Sequence, residues 1–296
     1  MSTLAAVAQR LAQGEKLQRA DAAIVLESHD LVSIGMMADE DRRRRHGADT
    51  TFVRVFEAHV EAIPSSLPAG VAAGEFRIAG RPESVDAAVA AVAAFRRLAG
   101  DAPLFAFSLR DLETLDASYE IFARLRTAGL DGIAEVPVDL VSSSVPVRAA
   151  RQAGLLVLRL TVDSLPDDVL QLLTGARTFA LEAEGFRAFA PLPRRLSVAA
   201  PTTGYDDVKC VALARLLVDV PSIQVDWPLY GPKLAQVGLI VGADDVDGVI
   251  AADPGTLGTR RSALEEIRGN IRAAGLQPVE RNGRFERLAA APGARG

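Results

Sequence analysis

The chain has 296 residues, 49% of them hydrophobic, enough to bury a substantial core in one α/β domain of the ~250-residue barrel size. A formal net charge of −5 excludes the basic excess that a general nucleic-acid binder needs, and the run Arg42 to Arg45 is balanced by Asp39, Glu40 and Asp41. One cysteine, Cys210, excludes an internal disulfide framework and a cysteine-only metal cage, and no apolar run reaches the ~18 residues that span a bilayer, so a cytoplasmic protein without membrane insertion is expected.

From Thr3 to Gly47 apolar residues recur at helix spacing: Leu4, Val7, Ala8 and Leu11 form one face, Gly14 breaks the run, and helices follow over Ala22 to Glu27 and Leu31 to Arg45. Residues 1–49 therefore form a helical cap on a single barrel domain of residues 50–288, with a frayed tail at 289–296. Thr50 to Val60, rich in β-branched and aromatic residues, is strand one, and Glu75 to Ala79 is strand two. An alanine-rich helix from Ser84 to Leu98 follows, its Ser84 and Asp86 suited to a helix start.

The beat then repeats. Strand three spans Leu104 to Leu109 with its helix at Ser118 to Ala128, strand four Gly132 to Val136 with Pro146 to Gln152, and strand five Leu155 to Val162 with Pro166 to Thr174. Strand six is Arg187 to Pro191, and the helix Tyr205 to Val218 leads into strand seven near Ile223. A Trp-Pro turn at Trp227 and a short helix over Lys233 to Gln236 precede strand eight at Val237 to Val241, and Asp244, Asp245 and Asp247 are expected to cap the turn that follows rather than hold a metal. Arg261 to Ala274 reads as a helix and Gln277 to Arg287 as a terminal hairpin. Eight strands alternating with helices predict a (β/α)8 TIM-type barrel, and no glycine fingerprint follows strand one to favour a dinucleotide fold.

Four stretches resemble one family. They are Gly14-Glu-Lys-Leu through Leu31-Val-Ser-Ile-Gly to Arg45-His-Gly, Ile223-Gln-Val-Asp-Trp-Pro with Gly231-Pro-Lys-Leu-Ala-Gln, Gly242-Ala-Asp-Asp-Val-Asp-Gly, and Ala274-Gly through Pro278-Val-Glu-Arg281. In that order they are similar to the radical S-adenosylmethionine enzymes of the futalosine route to menaquinone, aminofutalosine synthase and dehypoxanthine futalosine cyclase, with the deazaflavin synthases as cousins. The resemblance implies a barrel and, after strand one, three cysteines spaced C-x-x-x-C-x-x-C that hold a [4Fe-4S] cluster. Here that region reads Phe56-Glu-Ala-His-Val-Glu-Ala-Ile-Pro-Ser-Ser-Leu-Pro, without a thiol, and one His59 with Glu57 and Glu61 cannot replace three thiolates. The glycine-rich segment after strand two is reduced to Ala79-Gly-Arg-Pro. No cluster and no other cofactor are expected, and S-adenosylmethionine binding by the family's mode loses its basis.

Strand alternation places several polar residues on shared faces: Glu75 with Arg77, Ser108 with Arg110, Arg159 with Asp163, and Gln224 with Asp226. Arg54 lies on strand one and Glu135 near the end of strand four. Two readings stand side by side. In one, these charges neutralise each other inside the barrel; in the other, Arg54, Arg77, Arg110 and Arg159, with Gln224 and Trp227, line a pocket for a small anionic metabolite. Acid–base chemistry would fall to Glu135, Asp226 and His59. The functional expectations are an accessory or ligand-binding protein of menaquinone biosynthesis, partnered by a radical paralogue or a second copy, and, alternatively, a non-radical enzyme acting on a carboxylated aromatic or nucleoside-like substrate. Cys210, among Val208, Val211 and Leu213 on an amphipathic helix, is expected to be a buried structural thiol.

Overall fold

The protein, a computed structural model, is described over residues 3–195, 202–252 and 263–289. Three helices lead: α1 Leu4–Ala12, α2 Arg19–Glu27 and α3 Leu31–His46. Thr3 and Asp30 cap α1 and α3 by accepting first-turn amides that have no partner within the helix. Strands and helices then alternate: β1 Asp49–His59, β2 Glu75–Ala79, α4 Val85–Ala99, β3 Leu104–Ser108, α5 Leu109–Glu113, α6 Tyr119–Thr127, β4 Gly132–Pro137 and α7 Val145–Gln152. The second half continues with β5 Leu156–Val157, β6 Arg159–Val162, α8 Val169–Ala183, β7 Ala188–Pro193, α9 Gly204–Leu217, β8 Ser222–Asp226, α10 Trp227–Ile240, β9 Asp245–Ile250, α11 Ala263–Ala273 and β10 Gln277–Glu280.

The strands pair in parallel from β1 through β9, and β9 returns to β1, with Thr51 opposite Asp245 and Val55 opposite Ile250. Since β5 and β6 both lie beside β4 as one interrupted strand, the closed sheet has eight positions, the parallel (β/α)8 barrel expected. Helices cover the outside through apolar stripes such as Ala88, Val92 and Phe95 of α4 and Leu173 and Ala176 of α8. The leading helices join this outer layer, α3 lying along α9. There Gly35 comes so close to Val241 that a Cβ would stand 3.0 Å from its methyl carbon.

Two boundaries differ from expectation. Val237 to Val241 is not the eighth strand: residues up to Ile240 finish α10, and the closing strand is β9, the acidic segment expected to be a turn. The helix after the fifth strand runs over Val169–Ala183, later and longer than Pro166 to Thr174, because Asp168 supplies the cap by accepting from the Gln171 amide. The terminal segment does fold back as a hairpin, with Arg281 bridging Arg287 antiparallel and the Leu288 amide donating to the Glu280 carbonyl, but its first arm, β10, also runs parallel to β1 and so joins the barrel sheet. The start of the helix expected from Arg261, and all of the tail except Ala289, lie outside the described residues.

One edge of β1 is shared. β10 pairs with Asp49–Phe52 and β2 with Val55–His59, both opposite the edge that holds β9. From there residues 281–287 turn beneath the barrel and close its N-terminal mouth. The Arg281 guanidinium grips both Asp245 carboxylate oxygens at 2.6 Å, the Phe285 ring stacks 3.9 Å from it, and Arg284 reaches Asp131 at the start of β4. The fit is tight: a Cβ on Gly283 would lie 2.8 Å from Glu75 Oε2.

Candidate ligand site at the C-terminal mouth of the barrel

At the opposite mouth the strand ends surround two adjoining cavities of about 220 and 600 Å³. Glu57 at the end of β1, Arg77 on β2, Arg194 just past β7 and Asp226 at the end of β8 line both. The smaller also touches Phe107, Asp111 and Glu135, and the larger is walled by Val55, Phe56, Pro228, Leu229 and Ile250. Strand ends at this face are where barrel side chains are free to differ without disturbing the core.

The floor is an ion-pair lattice. Arg77 donates to Glu75 Oε1 at 2.9 Å and to Asp247 Oδ1 at 2.8 Å, while Arg159, buried one layer below, donates to Glu75 and to the Ala134 carbonyl. Arg194 donates to Glu135 at 3.2 Å and to Asp226. Burial opposes charge on Arg77 and Arg194, but the carboxylates around each outweigh it and hold both above the usual arginine value. Asp247 is fully buried, which disfavours its charge, yet Arg77, Arg159 and Arg194 hold it well below the usual carboxylate range. Its Oδ2 has no hydrogen-bond partner and lies 3.8 Å from Arg194.

Glu57 is different. It opens to solvent through the mouth, and no hydrogen bond from another described residue reaches its carboxylate. The surrounding protein desolvates it enough to push it above the ordinary glutamate value, with Arg77 opposing. Asp111 is pushed up in the same way, with Arg81 opposing. Local backbone fixes the wall beside Asp226: Asp226 accepts the Leu229 amide and so caps α10, and Gly248 sits at φ 75°, where a Cβ would lie 2.8 Å from Pro228 Cδ.

Of the residues singled out from sequence, Arg77, Glu135 and Asp226 line the cavities. Arg159 and Gln224 sit deeper in the barrel, Gln224 donating to Asp245 at 2.6 Å. Arg54 leaves the group and pairs with Glu280 at 2.6 Å, and Arg110 is exposed beside Glu113 at 3.4 Å. Trp227 is buried and lines neither cavity. His59 is 53% exposed, 3.8 Å from Glu61, and its ring fills the space that a side chain at Gly80 would need. Arg194, Glu57 and Asp247 were not among those choices. Two of them left a signal: Arg194 follows a strand, and Asp247 alternates with Asp245 on one.

The cluster implied by the resemblance does not fit these residues. The chain's one thiol, Cys210, is buried on α9, bonds the Pro191 carbonyl at 3.5 Å, and is pushed by burial up to about 12, so it is held as a thiol. The segment after β1 offers no thiolate, and His59 packs over Gly80.

No protein-family model matches the chain. It is 41% identical to aminodeoxyfutalosine synthase of Streptomyces coelicolor over 93 residues, 29% of this chain and 24% of that protein. It is 29% identical to the Thermus thermophilus protein of the same name over 206 residues, 57% and 55% of the two. A 5-amino-6-(D-ribitylamino)uracil–L-tyrosine 4-hydroxyphenyl transferase of Methanococcoides burtonii is 32% identical over 139 residues, 41% and 39%. The chain thus spans about a quarter to just over half the length of these curated relatives. Among solved structures, the FeFe-hydrogenase maturase HydG from Carboxydothermus hydrogenoformans superposes with a TM-score of 0.66 at 12% identity, covering 96% of this chain and 80% of that one. Methylornithine synthase, PylB, gives 0.63 at 13%, covering 92% and 97%. At such identities the solved structures speak for the barrel fold, while in sequence the chain is similar to parts of aminodeoxyfutalosine synthases and of the 4-hydroxyphenyl transferase.

Proposed function

We propose that this chain is a cytoplasmic, clusterless homologue of the aminofutalosine synthase and futalosine cyclase proteins that binds a small molecule at the C-terminal mouth of its barrel. In this role it serves menaquinone-related metabolism as an accessory or binding protein, with a radical paralogue or a second copy of itself as partner. The observation that carries the reading is the pairing of a retained site with absent ligands: cavities of about 220 and 600 Å³ share one charged floor, while the sequence supplies no thiol beyond Cys210. A floor of buried and half-buried, mutually bonded charges is costly to keep without a use for it, which supports ligand binding over mere filling of space.

The test is to denature the protein purified from its native host and identify by mass spectrometry what is released. The expected result is a stoichiometric small molecule that is lost in Glu57→Trp, which places a bulky ring where both cavities are lined. Steady turnover of that molecule by the purified chain would overturn the binding-protein reading in favour of the acid–base enzyme.

A further inference from the structure

We propose that the two-lobed cavity takes a molecule with a protonated amine on an apolar body, the amine against Glu57 and Asp226 and the body against Val55, Phe56 and Leu229. This rests on the ligand-binding reading above and names the ligand's chemical class. It also reverses the anionic ligand expected from the arginines alone.

The reversal comes from where the guanidiniums point. Arg77 is held by Glu75 and Asp247, and Arg194 by Glu135 and Asp226, so neither offers a free fork to an incoming carboxylate or phosphate. An anion would have to break one of these pairs and leave a buried carboxylate uncompensated, the costly way to disturb a buried pair. What remains unspent is acceptor capacity. Among the described lining residues four carboxylates, Glu57, Asp111, Glu135 and Asp226, stand against two guanidiniums, Arg77 and Arg194. Asp247 adds a buried oxygen that accepts no hydrogen bond and only faces Arg194 across 3.8 Å. A cleft lined by surplus negative charge and walled by low-dielectric groups favours cations.

Shape sets the rest of the molecule. Glu57 sits where the two cavities meet, and the larger opens onto apolar side chains from β1, β9 and the start of α10. A ligand anchored by its charged end at Glu57 would lay an apolar or aromatic body along that wall, the usual division of labour in a small-molecule pocket. The site is the enclosed cavity with both surfaces, not the carboxylates alone.

Isothermal titration calorimetry at low ionic strength with 3-phenylpropylamine, 3-phenylpropanol and 3-phenylpropanoate tests this, since the probes differ only in their terminal group. The amine is expected to bind about tenfold or more tighter than either companion, and Glu57→Gln to abolish that preference. Glu57 is solvent-accessible, so the variant is expected to fold, and unchanged circular dichroism confirms it. Tighter binding of the propanoate, or amine binding unaffected in Glu57→Gln, overturns the amine assignment while leaving ligand binding standing. No binding by any probe at about 10 mM overturns both.

Discussion

Glu57 shows how a single side chain can carry a site's electrostatic signature. The protein around it disfavours its charge, and Asp247 and Asp226 add to that, while Arg77 and Arg194 work against it, so its folded value lies above the unfolded one. A carboxyl raised in this way stabilises the fold only below its ordinary value, and the advantage is lost as pH rises through the raised one. Glu57→Gln is therefore expected to raise the midpoint of thermal unfolding at about pH 8 and to leave it unchanged at about pH 4, where the wild-type carboxyl is already protonated. Differential scanning calorimetry across that range checks it, and a variant less stable at the alkaline end would reverse the sign. Such a gain on removing a functional group is the ordinary trade between a site and its scaffold. None of this was legible from Glu57 in the sequence, where it appeared only as a poor substitute for a cluster ligand.

At the scale of elements, the closing strand and the segment beneath the barrel account for most of what differs from expectation. Leu239, Ile240 and Val241 looked like a buried strand because an apolar run that short does not distinguish strand from helix. The true strand, Asp245–Ile250, looked like a turn because its inward positions are acidic, and that pattern makes sense only once their partners are known. Those partners come from elsewhere in the chain: Asp245 meets Arg281 and Asp247 meets Arg77, contacts no local pattern encodes. The same physics predicts the consequence of removing one partner. Arg281 is 1% exposed and Asp245 wholly buried, so Arg281→Ala leaves a buried carboxylate uncompensated and is expected to cost about 3–5 kcal/mol in urea unfolding. Arg287→Ala, in the same segment, breaks an ion pair with Asp49, but with Arg287 59% exposed the loss should stay below about 1 kcal/mol. Equal losses in the two variants would mean that residues 281–287 do not seal the barrel as described.

For the whole molecule, the alternation of strands and helices announced a closed parallel barrel because each βα unit repeats at a length that local periodicity can register. Sequence also marked the likeness to the curated relatives through segments at both ends of the chain, and the arginine–carboxylate network through alternation on β2, β6 and β8. What it could not supply was the direction of each guanidinium, on which the charge of the pocket depends. The chemistry of the relatives poses the remaining question at this scale, and ligand count answers it. A [4Fe-4S] cluster of the family's kind needs three thiolates within a few ångströms of one another, held near the end of β1. This chain has one cysteine, buried on α9 and held as a thiol, and pairing two copies would supply only two. Anaerobic reconstitution with iron and sulfide is therefore expected to give neither sulfide-to-iron charge-transfer absorbance nor stoichiometric bound iron, and incubation with S-adenosylmethionine and a reductant to give no 5′-deoxyadenosine. Absorbance and iron content test the cluster independently of any activity. Stoichiometric iron with the cluster's visible spectrum would show that ligands come from outside the described arrangement, and would restore to this barrel the chemistry that its own residues do not support.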